Sequence, residues 1–206
     1  LRSVQPHIII NNRSRLDEDF GTPEEHLTPS EHDWEACMTF NGISWGYLDS
    51  AQVQPYSYSA QQIAKMLQIC SERGGNLLLN VGPKPDGTIP EDVVEPMKKI
   101  GQWLQFNGEA VYGNLERLSG NTYQCNGVSR STFKNNTVYM WNKIWHPVNG
   151  EMGIGGFLDS PVKISFMDGT SIEFEKKGDR IILKGLPEEN PDKIHGVGGF
   201  NLETCL

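Results

Sequence analysis

Arg13, Glu24, Trp34, Glu35 and Trp45 fall within one span of the chain. A carboxylate in a loop beyond a strand end suits general acid/base work, because proton transfer needs a titratable group held within reach of the reacting atom. Cleavage of a glycosidic bond is one reaction built on such groups, and it usually takes two of them, one near each face of the bond. Aromatic rings offer an apolar wall for a sugar ring or a methyl group. An arginine beside them can hydrogen-bond hydroxyls or orient a carboxylate. Glu24 stands among Asp17, Glu18, Asp19, Glu25, Glu31 and Asp33. By composition alone, a solvated acidic loop leading into a core strand fits the same residues.

The elements around this span must position it. His7 to Asn11 reads as a short buried strand, since three consecutive isoleucines suit a parallel strand covered on both faces. Asn11-Asn12-Arg13 follow at its C-terminal end, where active-site groups emerge in a barrel. Residues 14–33 carry no periodicity, and a loop of that length in a compact domain is usually either functional or disordered. Residues 34–40 read as a second strand, with Ser44-Trp45-Gly46-Tyr47 at its exit. Ser59 to Arg73 is the clearest helix: Ser59 and Gln62 form a capping-box pattern, and Ile63, Met66, Leu67 and Cys70 share one face. Gly74-Gly75 ends it. Asn76 to Val81 is the next buried strand, and turn chemistry follows from Gly82 to Gly87. A second helix starts near Pro90. Val93, Val94, Met97, Ile100, Trp103 and Leu104 form its apolar side, Pro96 should kink it or delay its start, and Gly108 stops it.

Alternating strands and helices at this spacing mean βα units with a parallel sheet. Beyond about Gly113 the pattern changes to short strands: Tyr123–Cys125, Thr137–Trp145, Val162–Phe166, Ser171–Glu175 and Arg180–Leu183. Asp168-Gly169 and Gly178-Asp179 mark hairpin turns. The fold class is therefore α/β followed by antiparallel strands, with a domain of residues 1–113 and a β-sandwich of residues 114–206. A closed eight-stranded barrel needs about 250 residues, so either residues 1–113 are part of a barrel whose first half is missing or they form a small open α/β sheet.

Composition narrows the partners. Hydrophobic residues make up 37% and charged residues 21% of the 206 residues, as in a folded globular protein. The net charge is −8 with no basic run, which disfavours nucleic acid. No apolar run approaches the roughly 20 residues of a membrane span. Cys37, Cys70, Cys125 and Cys205 include no CxxC motif and are expected as buried free thiols, with a disulfide as the alternative. The opening residues show no basic stretch followed by an apolar one, so no signal peptide is read there, and a start in mid-sequence leaves the compartment open. Asn12-Arg13-Ser14 and Asn135-Asn136-Thr137 match the N-glycosylation sequon.

Several tempting features are read as structural. Gly74-Gly75-Asn76 lacks the Gly-Lys-Ser/Thr of a phosphate loop. Asp86-Gly87-Thr88 lacks the spaced acids of a calcium loop. His146 and His195 are isolated, Glu35 lies inside a strand, and Trp141 and Trp145 are expected in the sandwich core.

The motifs Ser71-Glu72-Arg73-Gly74-Gly75-Asn76-Leu77-Leu78-Leu79-Asn80-Val81-Gly82-Pro83, Asp86-Gly87-Thr88-Ile89-Pro90, Gly101-Gln102-Trp103-Leu104 and Asn107-Gly108-Glu109-Ala110-Val111-Tyr112-Gly113 resemble the α-L-fucosidases of glycoside hydrolase family 29. Trp34-Glu35-Ala36-Cys37-Met38-Thr39, Ser44-Trp45-Gly46-Tyr47 and Gln5-Pro6 with Asn11-Asn12-Arg13 fit the same family in the same order. The resemblance covers residues 1 to about 113 well and the remainder loosely. It implies the C-terminal half of a (β/α)8-like, TIM-type barrel, followed by an antiparallel β-sandwich. It implies a retaining exo-α-L-fucosidase that removes terminal α-L-fucosyl residues from glycans or glycoconjugates.

Carried over residue by residue, the resemblance makes Arg13 a fucose contact near the nucleophile. Thr22-Pro23-Glu24 matches the segment bearing the acid/base in several members, which makes Glu24 that residue, with Glu25, Asp19 and Glu18 as alternatives. Trp45 would line the pocket near the fucose methyl group. Asn12 stands where Asp is commoner, and Ser14-Arg15 replaces Trp-Gly. The family's nucleophile Asp and its sugar-binding histidines precede the first residue here, so this chain alone should be catalytically silent, with an exposed barrel edge. No metal or organic cofactor is implied. The implied partners are a fucosylated oligosaccharide or glycoconjugate and the N-terminal half of the barrel, with a homo-oligomer as a further option, and the compartment would be extracellular, periplasmic or lysosomal. The competing reading is a non-catalytic carbohydrate-binding or scaffold fragment.

Overall fold

The computed structural model describes residues 1–16, 18–49, 51, 58–113, 116–117, 128–142, 144–157, 160–194 and 199–204. The chain divides into two compact units, residues 1–59 with 66–96 and residues 60–65 with 97–206.

In the first unit, β1 (Trp34–Thr39) and β2 (Gly75–Asn80) pair in parallel, in register from Trp34 opposite Gly75 to Thr39 opposite Asn80. Parallel neighbours need a long crossover, and helix α1 (Ala60–Arg73) lies between them in sequence. Ile63, Met66 and Cys70 of its expected face are buried and Leu67 is half-buried. Gly74, at φ 65°, takes the left-handed conformation that ends the helix. Gly75 has a different reason to be glycine. A Cβ there would lie 2.2 Å from Cε2 of Trp34, whose indole N–H donates to the Arg73 carbonyl at 3.2 Å.

Two expectations on this side are corrected. His7 to Asn11 is not a buried strand: Ile9 is 74% exposed, and only Asn11 enters a bridge, to Phe20. A strand buried on both faces needs covered faces and paired edges, and the sequence of the strand itself cannot supply them. Conversely, residues 14–33 are not all irregular. Gly21 and Glu24 bridge in parallel to Trp34 and Cys37. The N–H groups of Glu35 and Cys37 donate to Gly21 and Pro23 carbonyls, both at 2.8 Å, and the Glu25 N–H donates to Cys37 at 2.9 Å. β1 uses its odd residues for this segment, while the Phe40 N–H reaches Asn80, beyond β1 on the β2 side. β1 is therefore flanked on both edges. Pro23 has no N–H to give, which keeps the segment a frayed edge rather than a full strand.

Helix α2 runs from Glu91 to Asn107. Pro90 lies just before it, its carbonyl accepting from Val93 and Val94. Of the two effects expected of Pro96, the late start does not occur: the residue sits inside the helix, which already begins at Glu91. Val93, Ile100 and Trp103 are buried, whereas Met97, expected on the same face, is 42% exposed.

In the second unit, one antiparallel sheet has the order β3-β4-β5-β10-β7 and another the order β6-β9-β8. Their strands are β3 (Glu116–Arg117), β4 (Val128–Lys134), β5 (Thr137–Asn142), β6 (Met152–Gly155), β7 (Pro161–Phe166), β8 (Glu173–Lys177), β9 (Arg180–Lys184) and β10 (Gly199–Thr204). Val138, Met140 and Ile164 from the first sheet and Met152, Ile154, Ile181 and Leu183 from the second form one apolar core with Phe157, Ile172 and Leu186. Burying each large aliphatic side chain contributes about 1.5–3 kcal/mol.

The expected strand at 137–145 stops at Asn142, and that at 171–175 shifts to 173–177. The expected strand Tyr123–Cys125 lies outside the described residues. β3, β4, β6 and β10 have no counterpart among the strands expected from the sequence. Trp141 is fully buried and stacks on Trp103 at 5.5 Å between ring centroids. Trp145 lies past the end of β5, not on it, and packs near Phe166 while its indole donates to the Pro187 carbonyl. Among the described residues, no helix is long and apolar enough to cross a membrane.

Candidate active site

The site is built where the parallel segments of the first unit end. Asn11 accepts the Arg13 N–H on its side-chain oxygen at 3.2 Å and opens a 3-10 turn over Asn12–Ser14. Arg15 closes the turn at φ 65°. The Asn12 side-chain oxygen accepts both the N–H and the hydroxyl of Thr22, each at 3.1 Å. This double contact ties the Arg13 turn to Thr22-Pro23-Glu24. An amide makes it without adding a negative charge beside Glu24.

The result is an ion pair, with Nη2 of Arg13 2.7 Å from Oε1 of Glu24. The two side chains are 49% and 44% exposed, so solvent reaches both. Glu24 and then the Cys37 thiol hold the Arg13 guanidinium above its ordinary value. Burial pushes the Cys37 thiol up, and its contact with Arg13 works against that shift.

Three other acids of the loop, Glu25, Asp19 and Glu18, are engaged elsewhere. Glu25, at φ 57°, accepts the Thr39 backbone N–H at 3.0 Å. Asp19 accepts the Ile10 N–H at 2.8 Å and pairs with Arg2 at 2.8 Å; the Ile10 bond first, then Arg2, holds its carboxyl below the ordinary range. Glu18 also meets Arg2, at 3.2 Å. Asp17 lies outside the described residues. Glu35 lies within β1.

Trp45 stands on the loop leaving β1 and is 43% exposed. Asn41, buried just beyond β1, shapes this loop. Its side-chain oxygen accepts from the Ile43 and Ser44 N–H groups at 2.9 and 2.7 Å, and its amide donates to the Ser44 carbonyl. Asn80 at the end of β2 donates to the Trp45 carbonyl at 2.8 Å. A Cβ on Gly82 would lie 2.6 Å from the Gly46 and Tyr47 backbone, so only glycine lets the two loops approach. The structure thus joins Arg13 to Glu24 directly, while Trp45 is fixed through Asn80. Asn41 went unnoticed in the sequence, although Asn41-Gly42 is a turn signal and Gly42 has φ 64°.

A half-exposed carboxylate at the end of a parallel strand, with a guanidinium beside it, can exchange a proton with a bound molecule. The guanidinium can donate to hydroxyls or steady a developing negative charge. Among the described residues, no group of three or more His, Cys, Asp or Glu is placed to hold a metal ion. Cys37 and Cys70 are buried free thiols; Cys125, Cys205 and His195 lie outside the described residues.

Residues 1–109 match the family described as alpha-L-fucosidase. The chain is 37% identical over 131 residues to the plasma alpha-L-fucosidase of Homo sapiens, a match covering 63% of this chain and 27% of that protein. It is 35% identical over 139 residues to an alpha-L-fucosidase of Branchiostoma floridae, covering 68% and 30%. Among solved structures, alpha-L-fucosidase isoenzyme 1 from Paenibacillus thiaminolyticus matches with a TM-score of 0.80 at 25% identity, over 100% of this chain and 52% of that one. The Thermotoga maritima alpha-fucosidase matches with 0.71 at 27% identity, over 98% and 46%. Matches to the two sequence relatives cover 27% and 30% of their lengths, and those to the two structures 52% and 46%.

Proposed function

The chain belongs to the alpha-L-fucosidase family, and from that premise we propose that the complete protein is a retaining exo-α-L-fucosidase acting on terminal α-L-fucosyl groups of glycans or glycoconjugates. The Arg13–Glu24 pair at 2.7 Å carries this reading. It sets one solvent-accessible carboxylate against a hydroxyl-binding cation, where the parallel segments end. Glu24 serves as the acid/base. Arg13 turns from Glu24 to the sugar when substrate enters, and Trp45 supplies the apolar wall for the methyl group. An Asp contributed by sequence preceding Leu1 attacks the anomeric carbon. Glu24 protonates the leaving oxygen, then deprotonates the water that releases fucose. Retention needs the two carboxyls about 5–5.5 Å apart.

In this reading residues 1–113 are the C-terminal half of a TIM-type barrel and residues 114–206 a β-sandwich. The parallel β1–β2 pair with α1 between them supports the first assignment, and the two antiparallel sheets around a common core support the second. The exposed Ile9 fits an edge that the upstream half covers. The compartment is extracellular or lysosomal, in line with the plasma enzyme among the relatives. Proton NMR of sugar released by the complete protein tests the mechanism: the α-anomer should appear first, and initial release of the β-anomer would overturn it.

A further inference from the structure

We infer that Asn135 is an N-glycosylation site, set out on a hairpin tip. The two sequons of this chain lie in opposite surroundings. In Asn135-Asn136-Thr137, Lys134 pairs with Thr137 across β4 and β5, leaving a two-residue loop. Asn135 and Asn136 have φ 49° and 63°. Positive φ at both central positions is the type I′ geometry of a tight hairpin, which asparagine tolerates. Both residues are exposed. A glycan on Asn135 therefore leaves into solvent.

In Asn12-Arg13-Ser14, the Asn12 side-chain oxygen instead holds Thr22 by two bonds and keeps Glu24 beside Arg13. A glycan there would have its linkage amide in the middle of the site. The fold uses one sequon for its own structure and leaves the other open.

The reaction joins Nδ2 of Asn135 to C1 of a lipid-pyrophosphate-linked oligosaccharide. The donor's C1–oxygen bond breaks, its electron pair stays on the pyrophosphate, and Nδ2 loses one proton to a base. The inference rests on the extracellular or lysosomal reading above, because that donor faces the secretory lumen.

The test expresses the complete protein containing this chain in cultured animal cells, behind a secretory leader that fixes the route independently of that reading. Protein whose leader has been removed is mapped by peptide N-glycosidase in ¹⁸O water, which converts a glycosylated asparagine to ¹⁸O-labelled aspartate. Asn135 should undergo this conversion and Asn12 should not. Release should proceed without denaturation, because the tip is exposed. Asn135→Gln and Thr137→Ala should each remove one glycan from the intact mass, and Thr137→Ser should keep it. An unmodified Asn135 peptide, or a glycan on Asn12 in its place, overturns the inference. Glycan mapping needs no fucosidase activity, so failure of the catalytic reading would leave this result unchanged.

Discussion

Glu25 and Thr39 are locked together at the end of β1: the Glu25 carboxylate accepts the Thr39 N–H at 3.0 Å while its own N–H reaches the Cys37 carbonyl at 2.9 Å. This link fixes the backbone that carries Glu24. Glu25→Ala in the complete protein should lower kcat roughly ten- to a hundredfold by misplacing its neighbour, and azide should not restore it. Glu25→Gln keeps an acceptor and should retain most activity. Steady-state kinetics with a fucoside of a good leaving group reads both variants.

Gly82 gives a second prediction. Gly82→Ala would drive a Cβ into the Gly46–Tyr47 backbone, and backbone cannot swing aside as a flexible side chain can. The loop bearing Trp45 should shift, raising KM more than it lowers kcat. Gly75→Ala presses on the Trp34 indole instead. It should cost about 1–3 kcal/mol of stability by overpacking, seen as a lower urea midpoint.

Much of this scaffold was legible in the sequence. α1 and α2 declared themselves through an apolar face at helical spacing, and β1 and β2 through apolar runs between turn residues. What escaped was pairing. Ile8 to Ile10 have the composition of a buried strand, yet Ile9 is exposed, because burial depends on neighbours that a local window does not contain. Gly21 to Glu25 looked irregular because they are polar and include a proline, yet β1 recruits them. β10 sits between β5 and β7, far from both in sequence. The Arg13–Glu24 contact itself follows from Asn12 holding Thr22, a link between loops that no periodicity announces.

The thiols yield a third prediction. Burial pushes Cys70 up to about 12, and Cys37 is also raised. The thiolate is the reactive form, so both should resist iodoacetamide at pH 8 in the folded protein and react fully in urea. Peptide mass spectrometry separates the two sites. Labelling of Cys70 without denaturant would contradict the burial argument.

Asp19 makes stability fall in acid. Its folded pKa lies below the ordinary value of about 3.9. Its contribution is therefore fully present above the unfolded value and is lost as pH falls through the folded one. Asp19→Asn should lower stability at pH 7 and narrow the gap from wild type below about pH 4. Chemical denaturation at the two pH values measures it.

The claim that Glu24 is the acid/base is tested most directly by Glu24→Ala in the complete protein, assayed with an activated aryl α-L-fucoside with and without azide. The account predicts hydrolysis slowed by about 10²- to 10⁴-fold, the range general acid–base catalysis supplies, and turnover partly restored by azide with an α-L-fucosyl azide product. Wild-type hydrolysis in this variant, or a loss that azide does not relieve, would contradict it and move the role to another acid.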